Sequence, residues 1–322
     1  MSKYRIIKLT NLSPLHIGTG RENYDFSSAS LSSDAISAAL ASVRASLGHD
    51  SDINSFLSSF AISSAFPFVG NQYFLPNLLR KINVDKHQEE TYRKRLKKIK
   101  FVESSLWQTI ISGEPITIDE SQLQKEFLIK SNTDFSAPSK TNVMQRVKVA
   151  HGEHNSDPFF FEWTYFSPNA GLFCIVDADD QLFSELLQLF QLLGVEGIGT
   201  DKNIGGGKFD VEVGEISLCE PSDANATMLL STYIPSKDEV SVLNLEASAY
   251  ELILRNGYMA GSTIESLRHL RKKSIYIFNV GSVFATTQQL QGKIVDLTPQ
   301  WNDNRLHPIY RSGRPFSIKI KI

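Results

Sequence analysis

The sequence predicts an α+β protein. Its first half follows the split-βαβ, or ferredoxin-like, order β-α-β, large insertion, β-α-β, and a smaller α+β domain follows. Three observations carry this prediction. Lys3 to Leu12 alternates as a strand and leads into an amphipathic helix. Further on, Leu172 to Val176, Gln181 to Leu193 and Lys208 to Leu218 repeat strand, helix and strand. Between that last helix and strand, six of the chain's 19 glycines gather in the stretch from Gly194 to Phe209.

The elements follow in order. Ser13-Pro14 breaks the opening strand, and Gly18-Thr19-Gly20 makes a turn. Ser32, Ser33 and Asp34 offer N-cap oxygens for a helix through Leu47, with Ile36, Leu40, Val43 and Leu47 on one face. A short helix is expected from Ile53 to Phe60, then apolar strand segments at Ala61 to Val69 and Gln72 to Leu75. The insertion, about residues 76–165, carries the basic run Arg93-Lys94-Arg95-Leu96-Lys97-Lys98-Ile99-Lys100 on a helix, and a second helix near Ser104 to Ser112. It ends in two strands, Val143 to Ala150 and Phe159 to Phe166, whose polar connection makes a long hairpin. Asp177, Asp179 and Asp180 read as an N-cap cluster for the helix that follows them. Glu220-Pro-Ser-Asp-Ala-Asn reads as a linker and sets the domains at 1–219 and 220–322. Beyond it come strands at Met228 to Tyr233, Tyr250 to Arg255, Ile275 to Val280, Lys293 to Leu297 and Phe316 to Ile322.

Composition bounds the function. A hydrophobic content of 41% and a charged content of 21% fit a globular protein, and no apolar run is long enough to span a bilayer. The N-terminus lacks a signal-peptide pattern, and two cysteines make neither a disulfide framework nor a ligand pair, so the cytoplasm is expected. A net charge of −2 argues against nucleic acid only on average. The run from Arg93 to Lys100 and a second at Arg268-His-Leu-Arg-Lys-Lys273 are either solvated faces or the footprint of a polyanion partner.

The glycine stretch is not a nucleotide fingerprint. Those run from strand through glycines into a helix, whereas this one runs from helix to strand. A Walker loop ending at Gly207-Lys208 would also need glycine where Lys202 stands, and Ser or Thr after Lys208. What remains is a loop dotted with Lys202 and Lys208 whose bare amides can lie against a phosphodiester chain. His16-Ile-Gly18-Thr-Gly20-Arg21 is a second glycine-bearing loop. It is either an ordinary turn or a contact to a ligand lying across the sheet. The hairpin, with Lys140, Met144, Arg146 and Lys148, is either a mobile surface element or a projecting thumb whose apolar tip wedges between nucleotides. No metal motif or serine elbow is present among the seven histidines and their neighbours, and no cofactor is implied. A metal-independent ribonuclease would use His16 or His49 as its base.

Several segments resemble, in order, the Cas five group of the RAMP superfamily, and most of all the Csm four family of type III-A CRISPR complexes. They are Leu12-Ser-Pro-Leu-His16-Ile-Gly18, Ser33-Asp34-Ala-Ile-Ser-Ala-Ala-Leu40, Gly197 to Phe209, and His307-Pro308-Ile-Tyr310-Arg311-Ser-Gly313-Arg-Pro-Phe316. The resemblance implies two RRM-like domains, a thumb in the first, and a non-catalytic subunit that caps the crRNA at its 5′ tag. Its partners would be the large polymerase/cyclase-like subunit, a backbone RAMP subunit and target RNA near the tag, with no membrane. The implied RNA contacts are His16, Gly18, Arg21, Ser33, Asp34, Gly197, Gly199, Lys202, Gly205, Gly206, Gly207 and Lys208, with Met144, Arg146 and Lys148 on the thumb. The alternative is a RAMP-fold endoribonuclease that processes crRNA precursors.

Overall fold

In the computed structural model, residues 2–18, 25–27, 30–131, 133–149, 156–259, 262 and 264–322 are described. The chain starts with β1 (Ser2–Thr10), α1 (Ser33–Ser46), α2 (Ile53–Ser59), β2 (Ala61–Ile62), β3 (Phe66–Val69) and β4 (Gln72–Pro76). The insertion contributes α3 (Lys86–Leu96), β5 (Phe101–Glu103), α4 (Ser104–Ile111), β6 (Leu123–Gln124), β7 (Phe127–Leu128), β8 (Ser139–Val149) and β9 (Ser156–Phe166). β10 (Ala170–Asp177), α5 (Asp180–Glu196) and β11 (Asp210–Leu218) complete the first half.

One large sheet organises the molecule, in the order β11-β1-β10-β3-β4-β5-β7-β6, with β2 also pairing to β10. β1 lies antiparallel between β10 and β11, so the opening strand is central although it begins the chain. The insertion does not stand apart. β4 hands the sheet on to β5, and β5 to β7 in parallel. Trp107 of α4 is fully buried and donates its indole N–H to the Pro76 carbonyl at 2.8 Å. Only β8 and β9 leave the sheet, as a two-stranded hairpin.

Both faces of this sheet are covered at β10, which is why that strand is apolar on successive residues from Leu172 to Val176. Ile7, Leu9, Cys174 and Val176 pack under Ile36, Leu40, Leu186 and Phe190 of α1 and α5. On the other face Ile6, Phe173, Ile175 and Leu218 pack against Met228, Leu230, Phe316, Ile318 and Ile320. Each such side chain contributes about 1.5–3 kcal/mol of transfer free energy. A solitary split-βαβ unit leaves its second face open; here the second half of the chain closes it.

That second half comprises β12 (Ala226–Leu229), β13 (Leu252–Arg255), β14 (Ile275–Phe278), β15 (Val283–Phe284), β16 (Ile294–Asp296), β17 (Tyr310–Ser312) and β18 (Ser317–Ile320). They form three small sheets, β15-β12-β18, β13-β14 and β16-β17. Among the described residues of this half there is no α-helix, only a 3₁₀ turn at Glu265–Leu267. The expectation of an α+β, RRM-like second domain is corrected there. Its short strands need no helix of their own, because β12 and β18 use the large sheet as their hydrophobic cover.

The expected boundary at 219/220 is a bridged joint. Gln108 Oε1 accepts from the Cys219 amide at 2.9 Å, and Lys321 N–H donates to the Ile111 carbonyl at 2.9 Å. No helix among the described residues is long and apolar enough to cross a membrane.

Candidate nucleic-acid interface

Three segments meet at the carboxyl end of β1: the strand exit 13–18, the glycine loop 197–208, and the base of the β8–β9 hairpin. α5 delivers the loop. Its N-cap, Asp179, accepts from the Leu182 amide at 2.8 Å, as the acidic cluster suggested. The loop then folds back on the strand exit. Gly207 N–H donates to Pro14 O at 2.9 Å, Thr200 N–H to His16 O at 2.9 Å, and Lys208 N–H to Ser13 Oγ at 2.7 Å. Ser13 Oγ in turn donates to Gly205 O at 2.8 Å.

The glycines are required by this closeness. A Cβ on Gly207 would lie 1.8 Å from Ile198 O, and one on Gly199 would lie 2.5 Å from His16 O. A Cβ on Gly206 would meet the Trp163 ring at 2.7 Å. Trp163 ties the hairpin in, helped by the reciprocal Leu15–Thr164 backbone pair, both bonds 2.9 Å. Arg146 completes the tie: its guanidinium lies 4.4 Å from the Phe161 ring centre and 5.2 Å from that of Trp163, and bonds Asp201 at 2.7 Å.

This geometry revises how the loop would hold a phosphate chain. The amides of Gly197, Ile198, Thr200, Gly205, Gly206, Gly207, Lys208 and Phe209 already have acceptors within the protein. The bare-amide cradle is therefore corrected: those donors are spent on closing the loop. What faces outward are Gly18, Gly199, Lys202, Asn203, Ile204 and Lys208. Lys202 pairs loosely with Glu196 at 3.7 Å, both about half exposed.

The other expected contacts separate. His16 is 1% exposed; Nδ1 lies 2.7 Å from the Glu162 carbonyl and the ring packs on Phe161, so its side chain belongs to the hairpin base. Ser33 and Asp34 are 3% and 0% exposed, which removes them from direct RNA contact. Asp34 instead accepts from Arg255 Nε and Nη2, each at 2.9 Å, and from Arg311. Ser33 Oγ shares a hydrogen bond with Thr232 Oγ1 at 2.8 Å. Burial pushes the Arg311 guanidinium down to about 10 and lowers Arg255 as well, and both keep their charge at neutral pH beside the buried carboxylate. Met144 is half exposed but sits mid-strand opposite Phe161, not at an apolar tip. Lys148 falls opposite Asp157 in the same ladder. Arg21, together with His151 and His154, lies outside the described residues.

The sheet face proposed to carry a ligand is filled by β12 and β18. Trp163 and Asp201, which bolt the hairpin to the loop, were not singled out from sequence. Their signals were a tryptophan on a hairpin strand and an acid inside an otherwise cationic glycine loop. As to catalysis, His49 is exposed and its ring makes no hydrogen bond among the described residues. Among those residues no three His, Cys, Asp or Glu side chains are grouped to hold a metal.

A central sheet, a glycine loop knitted to the first strand and an anchored hairpin define a RAMP-type protein, and comparison with known proteins agrees. Residues 8–210 match the model described as "RAMP superfamily", and residues 222–320 the one described as "CRISPR Csm4 C-terminal domain". The chain belongs to the RAMP superfamily, as a Csm4-like member of it. A curated relative, "CRISPR system Cms protein Csm4" of Thermococcus onnurineus (strain NA1), is 24% identical over 215 residues, 64% of this chain and 69% of the relative. Among solved structures, a chain of the "Csm3-Csm4 subcomplex in the type III-A CRISPR-Cas interference complex" superposes with a TM-score of 0.66 at 17% identity, covering 99% of this chain and 100% of that one. A chain of a "Csm1-Csm4 cassette in complex with cA4" gives 0.64 at 18% identity, over 100% and 99% of the two chains. At these identities the superpositions speak for the fold.

Proposed function

We propose that this chain is the non-catalytic subunit of a type III-A CRISPR interference complex that holds the crRNA at its 5′ tag. In this reading it bridges the large subunit and the first backbone subunit, as relatives described in complexes with Csm1 and with Csm3 suggest. The first half is the ferredoxin-like unit of the pair, since the order β11-β1-β10-β3 with α1 and α5 on one face has that topology. The observation that carries the proposal is the junction of strand exit, glycine loop and hairpin base, with Lys202 and Lys208 exposed on its rim. Closed by its own hydrogen bonds, the loop is a rigid platform, and its lysines supply the phosphate contacts. In the same reading the hairpin beside it would meet target RNA next to the tag.

The test is a shift assay on the protein reconstituted with its two partner subunits and crRNA. Lys202→Glu with Lys208→Glu should weaken crRNA retention about tenfold or more and reduce the salt slope by about 1.4, at roughly 0.7 per lost contact to a single strand. Unchanged affinity and slope would overturn the loop assignment. Incubation with repeat RNA in EDTA should give binding without cleavage; cleavage would make the chain an endoribonuclease.

A further inference from the structure

We propose that the cleft between α3 and the base of the β8–β9 hairpin is a second track, which binds the phosphodiester backbone of single-stranded RNA. The inference extends the RNA-holding role proposed above to a separate surface. Residues 79–100 hold nine Lys and Arg against three Asp and Glu, a local charge of +6 in a chain of net −2. Ion pairs with acids outside the segment offset only part of this excess. α3 has no fully buried residue: Tyr92 and Leu96 pack partly buried against the core, while Arg93 and Lys94 beside them are exposed. Lys81 pairs with Glu89 at 2.6 Å, Lys100 with Glu126 at 2.9 Å and Arg95 with Glu120 at 2.9 Å. Arg80, Arg93 and Lys97 are exposed and form no ion pair among the described residues.

Those three cations line one wall of a cleft of about 1030 Å³. Phe26, 57% exposed, and Leu79, 42% exposed, line it too, which places apolar surface beside the charges. Spaced cations with an exposed aromatic ring suit a single strand, whose phosphates pair while its bases stack. Its acids are engaged: besides Glu89 and Glu126, Glu162 accepts from the Ser27 amide at 2.6 Å, and Glu251 from Asn279 at 2.6 Å.

The position favours RNA over an acidic protein. Thr141 and Glu162 line the cleft from the hairpin. The ladder register puts them on the face opposite Arg146, Phe161 and Trp163, which point to the glycine loop. The hairpin base thus separates the lysine rim from the cleft, and one strand crossing it would run from the first to the second.

The full chain carrying Arg80→Glu, Arg93→Glu and Lys97→Glu should bind a labelled single-stranded RNA at least tenfold more weakly at about 0.1 M salt, its salt slope reduced by about 2. Because Arg80, Arg93 and Lys97 are exposed, and Tyr92 and Leu96 make the core contacts of α3, the variant's unfolding midpoint should match the parent's. The conservative double variant, Arg80→Lys with Arg93→Lys and Lys97 left as it is, should keep most of the affinity. Unchanged RNA affinity and slope in the charge-reversed protein would overturn the cleft, as would loss of polyglutamate binding with RNA binding intact, which would mark a protein-docking surface. Lys202→Glu with Lys208→Glu serves as the parallel arm. If only that pair loses RNA, the cleft proposal alone fails; if only the triple variant does, the glycine-loop assignment alone fails.

Discussion

Gly205 and Gly207 stand two residues apart, both with positive φ (92° and 66°), yet they answer to different constraints. Gly205 faces open space, so a methyl group there meets only the backbone preference, about 1–2 kcal/mol. At Gly207 the methyl would collide with the Ile198 carbonyl, and that backbone is fixed by the Ile198–Gly207 and Gly207–Pro14 hydrogen bonds. Gly207→Ala should therefore destabilise by about 3 kcal/mol or more, and Gly205→Ala by about half that or less. Denaturant unfolding of the two variants checks this, and equal losses would contradict the loop geometry. The same contrast sorts the glycines of the proposed RNA contact: a Cβ would collide with backbone or ring atoms at Gly197, Gly199, Gly206 and Gly207, and would not at Gly18 and Gly205.

Among the elements, those written in local sequence were legible and those completed by distant residues were not. α1, α5, β1 and β11 carry their own apolar spacing, and α5 its own cap, so the sequence placed them to within a few residues. The expected cap of α1 does not form, since Ser32, Ser33 and Asp34 bond Arg255 and Thr232 instead. The hairpin was visible as two alternating strands, but its anchoring was not, since Arg146 and Asp201 lie 55 positions apart. Asp34 looked like a cap because nothing nearby announces Arg255 or Arg311, more than 200 residues on. The missing helices of the second half were hidden for the same reason: its strands are covered by a sheet formed elsewhere in the chain. The hairpin anchor can be measured directly. Arg146→Ala removes a charge-assisted hydrogen bond and two cation–π contacts, about 1–2 kcal/mol in total. Amides of β8 and β9 should then exchange roughly tenfold faster while those of β10 keep their protection, as read by hydrogen exchange with mass spectrometry. Unchanged exchange in β8 and β9 would show that the hairpin is held by something other than this residue.

At the scale of the whole molecule, the two halves behave as one body because they share a core and a buried ion cluster. β12 and β18 complete the hydrophobic layer under the large sheet, so neither half can keep its apolar surface dry alone. Asp34 is the polar counterpart of that layer. It is fully buried at the start of α1, and both of its arginines, Arg255 and Arg311, come from the second half. Replacing it with Asn keeps the shape and removes the charge, which leaves the buried Arg311 and partly buried Arg255 guanidinium groups without their counterion. The cost should be about 3–5 kcal/mol. Since the core still spans both halves, the loss should appear as a single unfolding transition at lower denaturant with its slope unchanged. Calorimetry of the full chain distinguishes the possibilities. Two resolved transitions in Asp34→Asn would mean that the halves are separate folding units held by the ion cluster alone, and an unshifted midpoint would mean that the cluster contributes nothing to the joint.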